Sequence, residues 1–103
     1  MPEENIIPNI YDFETDVRLS PIDRQIIGLM IDSGCDNGEW LTTNQIAERL
    51  KKITWVTVDR HLSGLFRIYY VKRQTKGATR NYTRDKIKIQ AERNVEWSLN
   101  VKQ

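Results

Sequence analysis

Cysteine is almost absent from the 103-residue chain: Cys35 stands alone, so no disulfide can form within it, and a reducing, cytoplasmic setting is expected. Histidine is equally scarce, and the single His61 excludes a histidine metal cluster. No apolar run approaches the roughly 18 residues that a membrane-spanning helix requires, so no membrane partner is expected. The first residues, "MPEENIIPNIYDFETD", are acidic and carry prolines, unlike a secretory signal or a transit peptide. No glycine-rich phosphate loop, no readable Ser/His/Asp grouping and no metal-ligand spacing occurs. The expectation is therefore a non-enzyme, without metal, cofactor or evident small-molecule ligand.

What the chain does have is a strong separation of charge. The net charge is only +2, yet residues 1–39 hold nine acids and two bases, and residues 67–88 hold eight bases and one acid, Asp85. A segregated basic segment attracts a polyanion even when the whole chain is close to neutral. Hydrophobic content of 39% with 29% charged residues suits one globular domain with a single modest core.

Residues 1–19 read as an extended or partly helical arm, since Pro2 and Pro8 break any early helix. Its apolar residues Ile6, Ile7, Ile10, Tyr11 and Phe13 have no obvious place in a helical core. Ile6, Ile7, Ile10 and Phe13 are candidate dimer contacts, together with the strand around Trp97. The domain proper spans 20–103. "LSPIDRQIIGLMIDSG" gives a first helix, with Ser20 as N-cap, Pro21 at the first turn, and a stripe of Ile22, Ile26, Leu29 and Met30 flanked by Ile27. Gly34 ends it, and "CDNGEW" is turn chemistry. In "LTTNQIAERLKK", Thr42 and Gln45 have capping-box spacing and Ile46, Ala47 and Leu50 form the buried side of a second helix.

"ITWVTVDRHLSGL" poses a conflict, because its β-branched and aromatic residues favour a strand while Val58, Leu62 and Leu65 recur at helical spacing. A third helix over about 55–66, capped by Thr54 and held by packing, resolves it. Its outward side collects Val56, Arg60, Ser63 and Arg67, with Thr57, Asp59 and Gly64 alongside. Beyond it the period changes to two. "RIYYVKRQ", "NYTRDKIKIQ" and "VEWSLNV" predict three antiparallel strands following the three helices, with Gly77 in the first turn. Trp40 and Trp97 are expected in the core, and Tyr69, Tyr70 and Tyr82 are read as strand packing. Cys35 is expected to be an ordinary thiol.

The order helix, helix–turn–helix, hairpin, carried by "SPIDRQIIGLMI", "LTTNQIAERL", "TVDRHLSGL" and "YYVKRQTKGATRNY", resembles the winged helix-turn-helix DNA-binding family over roughly residues 20–101. Two departures stand out: Lys51-Lys52 occupies the inter-helix turn where a glycine is common, and 75–94 is long for a simple wing. The resemblance implies an α+β fold and a homodimeric transcriptional regulator that reads double-stranded DNA. Helix 55–66 would enter the major groove, with Trp55, Val56, Thr57, Arg60, His61, Ser63 and Arg67 as candidate contacts and Thr54 at its start. Trp55 is read first as a packing residue, and His61 equally as a phosphate contact or a surface residue. Thr42, Thr43 and Asn44, at the start of the second helix, are candidate phosphate donors. Arg73, Lys76, Arg80, Asn81 and Arg84 of the basic hairpin would meet the backbone or minor groove. The alternatives are a replication or plasmid-partition DNA-binding protein and a winged-helix module used for protein contacts.

Overall fold

The computed structural model describes residues 7–75 and 95–101. Among these, three helices and a three-stranded antiparallel sheet form an α+β domain. The helices are α1 (Pro21–Asp32), α2 (Thr43–Leu50) and α3 (Trp55–Arg67), and the strands are β1 (Leu41–Thr42), β2 (Val71–Thr75) and β3 (Val95–Leu99).

All three helices start where the sequence carries caps. Ser20 Oγ accepts from Asp23 N–H, and the Asp23 carboxylate accepts from Ser20 N–H in return. Thr42 and Gln45 make the same reciprocal pair at α2, and Thr54 accepts from Thr57 N–H at α3. Each cap satisfies amide donors that a helix otherwise leaves orphaned. Gly34, at φ 86°, carries the chain away from α1 in the left-handed region that glycine enters without steric cost.

The other two helix ends do without glycine. Lys51 has φ 65° and ψ −40°, and Lys52 N–H donates to Leu50 carbonyl at 2.6 Å, which makes a γ-turn with positive φ at its centre. Tyr69 has φ 68°; its N–H donates to Phe66 carbonyl, and Tyr70 N–H donates to Leu65 carbonyl. This is a Schellman closure of α3 with tyrosine at the position usually held by glycine, and the accompanying apolar contact residues, Leu65 and Tyr70, are both buried.

The sheet order is β1-β3-β2, with both pairings antiparallel. Of the three strands expected after the helices, two, β2 and β3, are among the described residues, and the sheet gains a strand that was not expected. One described strand, β1, precedes α2, and β2 pairs directly with β3 from Val71↔Leu99 to Thr75↔Val95. The expected middle strand, "NYTRDKIKIQ", lies outside the described residues, as does Tyr82. The strand in "RIYYVKRQ" starts only at Val71, because α3 and its closing turn consume Arg67 to Tyr70.

Helices and sheet share one core. Ile26, Ile27 and Met30 of α1, Ile46 of α2, and Val58, Leu62 and Leu65 of α3 meet Leu41, Val71, Trp97 and Leu99 from the sheet. Ile27, read as a flank, is fully buried, because α1 is covered by α2, α3 and β3 together. Trp97 is buried as expected, whereas Trp40 is only half-buried, with Lys72 Nζ 5.5 Å from its ring centroid.

The segment before α1, expected as an extended or partly helical arm, contains a short 3-10 helix at Ile10–Asp12 and, contrary to the expectation that its apolar residues have no place in the core, contributes to it. Ile10 is 1% exposed, Leu19 is buried, and Phe13 packs against the cluster, its ring tip near Gly28 of α1. Ile10 is thus occupied within the chain and Phe13 is partly covered there; Ile6 lies outside the described residues. Polar contacts fasten the same segment. The Asp16 carboxylate accepts from Arg18 Nε, Arg18 Nη2 and Arg18 N–H, and at 2.6 Å from the Tyr70 hydroxyl. The Asp16 carbonyl accepts from Arg24.

Candidate nucleic-acid interface

The α3 helix has a sharply two-sided surface. Val58, Leu62 and Leu65 face the core with almost no exposure. Arg60 and Arg67 are exposed on the opposite side, and Val56 is 53% exposed beside them. At 100° per residue, Val56, Arg60, Ser63 and Arg67 fall within about 60° of one another. The outward face therefore combines cationic donors, a small hydroxyl and one methyl-bearing side chain; Ser63 is half-buried. Trp55 and Thr57 are half-buried at its start. The Thr54 and Thr57 hydroxyls bond each other at 3.1 Å, so both serve the helix cap.

His61 turns to one flank, where its Nδ1 lies 2.8 Å from Asp23 Oδ1 at the N-terminus of α1. It ties α3 to α1 and does not stand with Arg60 on the outward face. Thr43 departs further from its expected role. It is 2% exposed, and its Oγ1 accepts from Trp97 Nε1 at 2.9 Å, so its hydroxyl satisfies a buried indole instead of facing solvent. Thr42 is occupied as the α2 cap, and Asn44 alone of this trio is exposed.

Arg73, on β2, is exposed, with its guanidinium carbon 4.4 Å from the Phe66 ring centroid and 5.9 Å from that of Trp97. Phe66 belongs to the C-terminal turn of α3, so the sheet brings this arginine to the helix edge. Phe66 and Lys72 were not among the candidates read from sequence. The signal for Phe66 is an aromatic next to inward Leu65, but only strand register reveals the arginine above it. Lys76, Arg80, Asn81 and Arg84 lie outside the described residues.

Electrostatic perturbation is concentrated away from this face. Hydrogen bonds from the Arg18 guanidinium and then the Tyr70 hydroxyl hold the Asp16 carboxyl well below the usual carboxylate range. Burial, reinforced by the bond to Asp16, pushes the Tyr70 phenol up to about 12. Burial likewise pushes the Cys35 thiol up to about 11, which makes it a poor nucleophile at neutral pH. Among the described residues no group of three His, Cys, Asp or Glu side chains is placed to hold a metal ion, and no helix is long and apolar enough to cross a membrane.

No protein-family model matches the chain, and neither a curated protein nor a solved structure matches it.

Proposed function

We propose that the chain is a sequence-specific double-stranded DNA-binding protein of the winged helix-turn-helix type, acting as a cytoplasmic transcriptional regulator. The observation that carries this reading is the two-sided α3, which buries Val58, Leu62 and Leu65 and turns Arg60, Arg67 and Val56 to solvent. A helix about 10–12 Å across with its side chains matches a major groove about 12 Å wide. Arginine donates to guanine edges or phosphates, and a valine methyl packs on a thymine methyl. The element order, with α2 and α3 joined by a short turn and β2 pairing antiparallel with β3, supports the winged-helix assignment. The basic segment at 67–88 supports it electrostatically.

In this reading two copies act together, because one helix covers only a few base pairs and a two-fold dimer doubles the site. A role in replication or plasmid partition rests on the same physics. Selection of bound duplexes from a random pool, followed by anisotropy titration of the enriched sequence, tests the proposal. Enrichment of a defined site supports it, and a pool that stays random contradicts it in favour of a protein-contact module.

A further inference from the structure

Arg73 is held in an unusual way for an exposed cation on a strand. It sits opposite Trp97 in the β2–β3 register, so both side chains leave the same face of the sheet. That face meets the end of α3, where the Phe66 ring stands 77° from the plane of Trp97 with centroids 6.4 Å apart. The guanidinium lies over Phe66. A cation over a ring face is attracted by the π system, and a guanidinium that lies flat there keeps its in-plane N–H donors free for a further partner. Among the described residues no carboxylate pairs with it. Glu96, the nearest acid along β3, accepts instead from Gln74 one residue along β2, on the opposite face of the sheet.

Building on the DNA reading above, we infer that Arg73 is a pre-oriented contact to a DNA phosphate, and that Phe66 is the positioning residue that holds its guanidinium. Phe66 lies about 120° round α3 from Arg60, on the flank towards the sheet. A helix that fills the major groove meets base edges with its central face and the phosphate walls with its flanks. A fork of donors held at that flank suits a phosphate, which accepts two parallel N–H bonds. Stacking also removes rotamer freedom before binding, so less is lost when the contact forms.

A double-mutant cycle on the full chain tests this, using fluorescence anisotropy with a selected duplex and a random duplex across 50–200 mM salt. Arg73→Gln should weaken both duplexes by the same factor and lower the salt slope by about one unit. Phe66→Leu, which keeps an apolar side chain but removes the π face, should weaken binding roughly threefold to fivefold, with Phe66→Tyr restoring it. In the Arg73→Gln background the same Phe66→Leu change should cost less than about twofold, since no guanidinium is left to position. An equal cost in both backgrounds overturns the inference while leaving DNA binding intact. So does an Arg73→Gln effect confined to the selected duplex. Failure of the unaltered chain to bind either duplex overturns the DNA reading itself and the inference with it.

Discussion

Two residues carry backbone strain that glycine would relieve. Lys51 sits at φ 65° at the end of α2, closed by the short Lys52 N–H bond to Leu50 carbonyl. Positive φ costs an L-residue about 1–2 kcal/mol, part of which glycine gives back through its larger unfolded-state entropy. Lys51→Gly should therefore stabilise the fold by roughly 0.5–1 kcal/mol and raise the melting temperature by a few degrees, whereas Lys51→Ala should give no such gain. Equal melting temperatures for the two variants would mean that the backbone at Lys51 is not strained. Thr43 supplies the second test at this scale. Thr43→Val leaves the buried Trp97 N–H without its acceptor and should cost about 1–3 kcal/mol, with Thr43→Ser close to the parent in urea titration. Because that hydroxyl faces inward, Thr43→Val should leave duplex affinity unchanged well below the melting point; a selective loss of affinity would restore Thr43 as a phosphate donor.

The helices were legible because two independent signals agreed on each, caps at Ser20, Thr42 and Thr54 and apolar spacing along each segment, with turn chemistry at Gly34 added for α1. In α3 that spacing overrode a β-branched composition, and Val58, Leu62 and Leu65 are buried as the spacing required. A two-residue strand such as β1 has no period to detect, so Leu41 and Thr42 read only as the approach to a helix. Ile10 and Leu19 lie outside any α-helix or strand, where burial leaves no pattern in the sequence. At Thr42-Thr43 the sequence offers two adjacent hydroxyls, and only the position of Trp97 decides which one turns inward. The exposure of Val56, Arg60 and Arg67 on α3 followed directly from the wheel, whereas the pairing of His61 with Asp23 left no signal in the sequence. At the scale of this element, Arg60→Ala should relax preference at one or two positions of a selected site, at about 1–3 kcal/mol. A uniform loss across sequences, read by comparing selected and random duplexes, would reassign Arg60 to phosphate.

Across the whole molecule, the segment before α1 functions as a strap, with Ile10 and Leu19 in the core and Asp16 bound to Tyr70 beyond the end of α3. Deleting residues 1–19 should lower stability, whatever it does to association, and thermal melting beside sedimentation separates the two effects. The strap is also acid-sensitive. Asp16 titrates lower in the folded chain than in the unfolded one, so its contribution is present above about pH 4 and is lost as pH falls below that value. The melting-temperature gap between the parent and Asp16→Asn should accordingly shrink between about pH 5 and pH 2; parallel curves would remove Asp16 from the account.

The proposal that α3 and the basic segment following it in sequence together form a DNA-reading surface is tested most directly by one titration. Anisotropy of a selected duplex and a random duplex, measured with the full chain from 50 to 200 mM salt, should show affinity for both falling by roughly tenfold or more, as several phosphates are neutralised. The selected site should stay tighter throughout. Equal affinity for the two duplexes at every salt concentration would contradict the claim.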